Sequence, residues 1–218
     1  MRLQNFISAF LTHTFGYSTS LMKYLIASLL LLISFAVSAQ KNTYNDSLKT
    51  FREHYVKTHE VVKGDDAKFL NFFPADKKYR VIAKFKKVSD LIGFDIPTAA
   101  GTSSHYYKYG SLTFKLNDTV CRLFLYRSQR LMSSAKYKNY LFLPFTDLTN
   151  ALETYGTGRY IDILTTDIKN NKLTIDFNKA YNPYCAYGKG FQCPLPPREC
   201  ALSISVYAGE KSYGKPVH

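Results

Sequence analysis

The chain has 218 residues, of which 46% are hydrophobic and 16% aromatic, and its net charge is +13. This composition excludes a disordered or low-complexity protein and suits one globular domain with a sizeable core. The positive charge attracts anionic partners at long range. Because the basic residues are spread along the whole chain, however, we interpret them as a solvated surface and expect no nucleic-acid site.

Residues 22–39, "MKYLIASLLLLISFAVSA", are typical of a signal peptide. A short positive start is followed by an apolar stretch over 25–36 and by small residues before a cleavage site after Ala39. The apolar run is shorter than the roughly 18–20 residues that cross a membrane, which favours cleavage over an anchor helix. We therefore predict that 1–21 are an upstream extension. Residues 40–218 then form one exported domain, periplasmic or extracellular, without a transmembrane span.

The first elements of this domain are a helix, a strand and a hairpin. Apolar residues recur at helical spacing over Asn45–His59, which predicts a helix. Residues Lys78–Lys87 alternate between apolar and basic side chains, as in a strand with one buried face. The segment Ser111–Tyr126 alternates on both sides of Asn117-Asp118, which indicates a hairpin with its turn at those two residues.

Further strands are predicted at Tyr140–Phe145 and Leu202–Ala208, and a second hairpin joins Arg159–Leu164 to Lys172–Phe177 across Asn170-Asn171. In the proposed register Ile161 faces Ile175, and Ile163 faces Leu173. That parity places five apolar side chains on one face: Ile161, Ile163, Leu173, Ile175 and Phe177. The absence of alternating strands and helices predicts a mainly β fold, an antiparallel β-sandwich or a partly open β-barrel with one N-terminal helix.

Four segments together resemble a bacterial family of unknown function, the one numbered sixteen-eighty-four. They are "FFPADKKYRVIAKF", "YGSLTFKLN", "LFLPFTDLTNALETYGTGRYIDI" and "LTIDFNKAYNPYCAYGKGFQCPLPPRECALSISVYAGEK". The resemblance covers about Phe51 to Lys211, and it implies a mainly β fold and no established activity. Carried over by position, its pattern falls on Tyr155, Gly156, Gly158, Arg159, Tyr160, Asp176, Asn178, Tyr181, Asn182, Pro183, Cys185, Tyr187, Cys193, Pro194 and Glu199. Cys200 stands where the family pattern has asparagine.

The four cysteines have three readings: disulfides, free thiols or a metal site. Cys185 and Cys193 enclose seven residues, which is wider than the usual zinc spacing, and no histidine lies near them. A disulfide across this proline- and glycine-rich loop is therefore favoured. Cys121 and Cys200 lie outside the family pattern, and we hypothesise that they form a second disulfide. We expect no metal site and no cofactor, since the usual nucleotide and metal motifs are missing.

Arg159 falls at the inward parity of its predicted strand, where a charged group needs a partner. One reading is a structural ion pair, for which Asp147, Glu153 and Glu199 are candidates. The other is a guanidinium fork that binds the carboxylate or phosphate of a ligand.

Polar side chains where Tyr155–Tyr160 meets Asp176–Cys193 form a tyrosine-rich rim and suggest a site for a small polar or anionic ligand. Its predicted ligand-binding residues are Tyr155, Arg159, Tyr160, Asp176, Asn178, Tyr181, Asn182 and Tyr187. The interpretation that follows is an exported small-ligand or envelope-associated binding module. The first alternative is an enzyme with Asp176 or Glu199 as acid/base and Arg159 as anion anchor. The second is a structural module that docks through a basic face.

Overall fold

The computed structural model describes residues 19–215, without the side chains of 19–22 and 30–42. The chain divides into two compact units, Met1–Ser47 and Leu48–His218. The helices are α1 (Thr19–Thr58) and the short α2 (Gln129–Met132). The strands are β1 (Arg80–Lys87), β2 (Phe94–Pro97), β3 (Ser103–Leu116), β4 (Thr119–Ser128), β5 (Tyr140–Phe145), β6 (Arg159–Leu164) and β7 (Lys172–Asp176). Short 3-10 helices lie at Gly64–Phe69, Lys77–Tyr79, Thr165–Asp167, Phe177–Lys179, Tyr184–Ala186 and Arg198–Cys200.

The described part of the first unit is helical and belongs to α1. Among the residues searched, none of the helices has the length and apolar character that a membrane crossing requires. The predicted extension lies almost wholly outside the described residues, and most side chains of the predicted signal peptide are not described either. The predicted helix at Asn45–His59 corresponds to the last part of α1, which begins earlier than predicted and ends at Thr58.

The second unit is built on one seven-stranded antiparallel sheet that curls into a half-barrel, so of the two predicted architectures the partly open barrel is the one found. The strand order is β6-β5-β4-β3-β1-β7, and β2 pairs with β3. The predicted β3–β4 turn is present, since Asn117 and Asp118 both have positive φ. Each strand of the main path turns fully or almost fully buried side chains to the core, among them Ala83, Leu112, Leu123, Leu141, Ile161 and Ile175.

The curl brings together the two ends of the sheet. A flat path of six strands would separate β6 from β7 by about 24 Å, five spacings of about 4.8 Å. The link between Leu164 and Lys172 contains a 3-10 helix and a tight turn, so it is too compact for that distance. Beyond β7, Tyr181 bonds to Tyr160 of β6 through both backbone groups, N to O at 2.9 and 3.0 Å. The half-barrel is therefore closed at this bridge and open along the rest of β6 and β7.

The predicted pairing of β6 with β7 is wrong, although its parity is right. β6 pairs with β5, and β7 pairs with β1, where Ile175 faces Val81. The Asn170-Asn171 turn does form, with φ of 50° and 55°. It closes only the Lys169–Lys172 pair, because the chain before Lys169 enters a 3-10 helix instead of a strand. All five predicted inward side chains are buried.

The predicted strand at Leu202–Ala208 is also wrong as a sheet element. Its alternation is real, with Leu202, Val206 and Ala208 buried. However, the carbonyl groups of Val206, Ala208 and Glu210 accept hydrogen bonds from the Arg159 guanidinium instead of joining a ladder. Gly209, with φ of 78°, makes this path fit, because a Cβ there would lie 2.7 Å from two backbone oxygens.

Candidate functional site

A cleft of about 700 Å³ lies where the open edges of β6 and β7 face the last turns of α1. Four groups of side chains line it. The aromatic ones are Phe51, Tyr55, His59, Tyr181 and Tyr184; the acidic ones are Glu60, Asp162, Asp167 and Asp176; the basic ones are Arg80, Lys169 and Lys179; the rest are Thr58, Ile161, Ile163, Thr166 and Thr174. The cleft thus carries four carboxylates against three cationic side chains, within a strongly basic protein.

Asp162 stands at the β6 edge of the cleft and is held by two tyrosines. The hydroxyls of Tyr140 and Tyr181 donate to the same carboxylate oxygen at 2.9 and 2.5 Å. Burial is the main cause of the raised pKa of both hydroxyls, and the Asp162 carboxylate adds to it. The two tyrosines therefore remain protonated donors and fix the direction of the carboxylate.

The main chain of Asp162 also faces the cleft. The backbone N–H and C=O of Tyr160 bond to Tyr181, on the side of β6 that faces away from β5. Along a strand, the backbone groups of successive residues point to alternate sides, so residues two apart point to the same side. The N–H and C=O of Asp162 therefore point to the same open side as those of Tyr160. An edge strand in this state offers one donor and one acceptor to a bound molecule.

His59 directly follows α1 and lines the cleft. Its hydrogen bonds fix its tautomer. Its Nδ1 accepts from the backbone N–H of Val61 and Val62 at 3.2 and 2.9 Å, so the proton is on Nε2. Nε2 is buried without a hydrogen-bond partner among the described residues. Burial lowers the pKa of His59, and nearby Lys63 lowers it further. His59 is therefore a neutral donor and is not suited to act as a base.

Glu210 is a buried carboxylate behind the cleft wall, and it was not among the site residues predicted from the sequence. Glu210 is 0% exposed and accepts hydrogen bonds from the Tyr187 hydroxyl, the Tyr55 hydroxyl and the Asn182 backbone N–H at 2.7–3.0 Å. Burial raises its pKa to about 7, although these donors act in the opposite direction. We call these four residues the Glu210 cluster. Tyr55 connects it to the cleft, because its ring also lines the cleft.

Arg159 lies in the core and not in the cleft. The side chain is 0% exposed. Its Nη2 donates to Asp147 and to the Val206 carbonyl at 2.8 and 2.9 Å, and Nη1 donates to two further carbonyls. Burial lowers the pKa of the guanidinium, and Asp147 opposes that shift. Of the three predicted partners, Asp147 is the one used. Both terminal nitrogens bond to the chain itself, while Nε is buried without a hydrogen-bond partner among the described residues.

The other predicted rim residues divide between the cleft and the scaffold. Asp176 and Tyr181 line the cleft. Asn178 is fully buried and ties the chain near Asp76 to β7, with bonds of 2.8 and 3.0 Å to the backbone of Asp76. Asn182 likewise donates to the Lys211 carbonyl at 2.8 Å. Tyr155, Tyr160 and Tyr187 are absent from the lining: Tyr160 is buried against Phe142, and Tyr187 belongs to the Glu210 cluster.

Glu199 bonds to residues of β3 and β4 and does not line the cleft. Its two oxygens accept from the Tyr126 hydroxyl at 2.7 Å and from Lys108 Nζ at 2.8 Å. The three residues of the enzyme alternative therefore lie in three places: Arg159 in the core, Glu199 beside β4, and Asp176 in the cleft. Within residues 19–215, side chains of three or more His, Cys, Asp or Glu residues nowhere gather in a metal-holding arrangement.

The two cysteine hypotheses have different outcomes. Cys185 and Cys193 pair with each other, with their Cα atoms 6.2 Å apart. Cys121 and Cys200 are both free and buried, so the predicted bridge is wrong. Cys200 lies 3.4 Å from the Tyr126 hydroxyl, whereas Cys121 precedes Tyr126 by five residues on the same strand, about 16 Å along it. A disulfide does not reach over that distance.

Comparison with known proteins agrees with this fold. The model of a protein family described as "Protein of unknown function (DUF1684)" matches residues 66–211. This chain belongs to the DUF1684 family. The match spans the whole sheet, including the β6 and β7 edges of the cleft, and three of the four residues of the Glu210 cluster, since Tyr55 precedes it. It confirms the family resemblance predicted from the sequence.

A solved structure resembles this DUF1684 protein over most of its length. It is the solution NMR structure of an uncharacterized protein from gene locus rrnAC0354 of Haloarcula marismortui, 27% identical, with a TM-score of 0.60. The similarity covers 79% of this chain and 96% of that one. Among curated proteins, none matches the chain.

Proposed function

We propose that this protein is an exported binding protein for a small, neutral, hydroxyl-rich molecule such as a sugar, held in the cleft between α1, β6 and β7. The observation that carries the proposal is the cleft itself, whose volume of about 700 Å³ falls in the usual range of small-molecule sites. The chain presents polar groups of both signs there, next to aromatic rings.

The charge balance of the cleft supports a neutral ligand. Carboxylates and cationic side chains are present in nearly equal number, so a polyanion or a polycation would meet like charges at short range. A hydroxyl group both donates and accepts, so it can satisfy carboxylates, lysines and the open N–H and C=O of Asp162. This distribution also argues against the anionic ligand considered from the sequence.

The aromatic side chains supply the apolar contact that such a ligand needs. Tyr184 lines the cleft and is half-buried, and its hydroxyl donates to Glu60 at 2.7 Å, so its ring is held in place there. Tyr181 is fixed in the same way by Asp162. Fixed rings of this kind present large contact areas at a low cost in conformational entropy.

The test is a binding experiment with defined probes. The tyrosine rings are labelled with ¹³C, and NMR spectra are recorded with glucose, N-acetylglucosamine and maltose, and with citrate and spermidine as charged comparisons. We expect saturable shifts of the Tyr181 and Tyr184 signals with a neutral sugar. Tyr184→Ala should weaken binding at least tenfold, the equivalent of about 1.4 kcal/mol.

The matched control is Tyr207→Ala, because Tyr207 is a surface tyrosine, 46% exposed, that does not line the cleft. It should change the affinity less than twofold. Tighter binding of citrate or spermidine than of any sugar would reject the neutral-ligand proposal. Equal weakening by both alanine variants would place the ligand outside the cleft.

Export is tested separately. Expression of the full chain in a Gram-negative host should yield a protein whose N-terminus is Gln40, recovered with the periplasmic fraction or the medium. An intact N-terminus in the cytosolic fraction would refute export and leave the ligand proposal to its own test.

A further inference from the structure

The loop between β1 and β2 exposes two large aliphatic side chains at its tip. Leu91 is 91% exposed and Ile92 is 85% exposed, the two highest values for large hydrophobic residues in the described part of the chain. Single exposed apolar residues are common on protein surfaces, but two neighbours at the tip of a loop are a feature of contact surfaces.

The loop holds these side chains outward by a set of local hydrogen bonds. The Asp90 carboxylate accepts from the backbone N–H of Gly93 and of Lys108, both at 2.8 Å. His105 bonds the Ile92 carbonyl through Nε2 at 3.1 Å and Asp95 through Nδ1 at 2.7 Å. The tip is therefore a fixed protrusion, because its backbone is tied to β2 and β3.

Gly93 is needed for this geometry. Its φ is +71°, and a Cβ there would collide with the His105 ring and lie 2.7 Å from the Tyr106 carbonyl oxygen. The turn that follows the two exposed side chains is thus specified by the sequence.

Basic side chains surround the tip. A depression of about 400 Å³ is lined by Leu91 and Met132 together with Lys87, Lys108 and Arg127. Lys108 is paired with Glu199 at 2.8 Å, but Lys87 and Arg127 lie against the ring of one tyrosine, Tyr109, at 2.9 and 4.9 Å from its centroid. Neither of these cations has an ion-pair partner among the described residues. The Asp90 carboxylate also lines the depression, but its two oxygens accept from the backbone N–H groups of Gly93 and Lys108.

We propose that this protein docks on anionic phospholipid bilayers through this surface, which we define as the Leu91–Ile92 tip with Lys87 and Arg127. The aliphatic side chains enter the interfacial layer, and the cations pair with lipid phosphates. The choice of a bilayer rests on the combination of groups: Leu91, which is almost fully exposed, lines one depression together with Lys87 and Arg127. Exposed aliphatic groups next to cations complement acyl chains below a layer of negative headgroups. The net charge of +13 acts in the same direction at long range.

The proposal is independent of the cleft. Arg80 of β1 lines the cleft and Lys87 lines the tip depression, at opposite ends of one strand. Seven strand residues correspond to about 23 Å. Ligand binding in the cleft and membrane docking through the tip can therefore be tested independently, and either can be absent without the other.

The test uses the lack of tryptophan in the natural chain. Leu91→Trp, made in the full chain, gives one fluorophore at the tip. Vesicles of phosphatidylcholine alone are compared with vesicles that also contain phosphatidylglycerol, and acyl chains are brominated in a parallel set. We expect a blue shift and bromine quenching only with phosphatidylglycerol. Because the reporter is local, binding through the N-terminal apolar segment does not produce this signal.

One further variant, a change of salt and one control variant sharpen the result. In the Leu91→Trp background, Lys87→Gln should raise the lipid concentration for half-maximal shift about fivefold, and salt at about 0.5 M should abolish the shift. The control is Val120→Trp, since Val120 is 73% exposed at the far hairpin and should show no shift. An unshifted tip fluorophore with phosphatidylglycerol, an equal shift with neutral vesicles, or no effect of Lys87→Gln and salt would overturn the proposal. Binding to an acidic protein without any bilayer signal would overturn it in favour of a protein partner.

Discussion

Two buried ionisable side chains, Arg159 and Glu210, organise the C-terminal segment from opposite sides. Arg159 binds three of its backbone carbonyls, and one of them belongs to Glu210. The Glu210 carboxylate turns the other way and accepts from the tyrosines behind the cleft. Both terminal nitrogens of the guanidinium have acceptors, which compensates for most of the cost of its burial, although Nε has no hydrogen-bond partner among the described residues. Burial of the Glu210 carboxylate is costly at neutral pH, since its pKa is raised to about 7.

The raised pKa of Glu210 predicts a pH-dependent stability. In the unfolded chain this carboxyl titrates near its ordinary value of 4.5, and in the folded chain at about 7. Between these values the folded state binds more protons, so the free energy of unfolding decreases as pH rises from about 4.5 to 7 and then levels off. Glu210→Gln should remove most of this decrease, about 3 kcal/mol at the scale of the shift. Urea unfolding at pH 5, 6, 7 and 8 measures it.

The matched control is Glu53→Gln on α1. Glu53 is exposed and pairs with Lys49 at 3.9 Å, so the same change of charge should leave the pH dependence of the unfolding free energy nearly unchanged. If Glu210→Gln and the natural chain show the same slope, the Glu210 carboxyl does not titrate in the way its burial implies.

At the scale of the elements, alternation along each strand was readable from the sequence and pairing between strands was not. The inward parity of β1, β3, β4, β6 and β7 follows from a two-residue period, which is a local property. The partner of β6 depends instead on whether residues 165–168 continue the strand or turn, and the 3-10 helix there decides it. In the same way, Leu202–Ala208 alternates like a strand but gives carbonyls to Arg159, a residue distant in the sequence.

The Cys185–Cys193 disulfide fixes the loop that leads from the Glu210 cluster to the Pro194 carbonyl, which accepts from the Tyr160 hydroxyl. Closing a loop of this length stabilises the folded chain by about 2–3 kcal/mol through the lost entropy of the unfolded chain. We therefore expect the double substitution of both cysteines by alanine, or reduction, to lower the free energy of unfolding by that amount.

The count of thiols checks the pairing directly. Denatured, non-reduced protein should react with a thiol reagent at two sites, Cys121 and Cys200, and reduced protein at four. The control is Cys121→Ala with the disulfide intact, which should not change the response of the unfolding free energy to reductant. Four reactive thiols without reduction would contradict the disulfide.

For the whole molecule, the site was only partly predictable because it is assembled from distant parts of the chain. Asp176 was recognised from the polar face of its predicted strand and Tyr181 from the segment that follows that strand, and both line the cleft. Tyr55 and Glu210 are 155 positions apart, and no spacing in the sequence joins them. Arg159, Asn178 and Asn182 carry polar chemistry, but the structure uses it to hold backbone segments together. The sequence shows which side chains are polar, but the curl of the sheet determines which of them line the cleft and remain available to a ligand.

The same curl predicts how the molecule opens. Leu112 of β3 has strands on both sides, β1 and β4, whereas β6 and β7 each have one strand partner and meet at the Tyr160–Tyr181 bridge. We therefore expect the edge strands to separate at a lower free energy than the centre. In native-state hydrogen exchange at low denaturant, the amides of Ile163 and Ile175 should exchange through a smaller opening than that of Leu112. A neutral sugar in the cleft should raise the edge values and leave Leu112 unchanged. If all three amides share one opening free energy and one denaturant dependence, the sheet opens only as a whole, and the cleft is not a separate unit of stability.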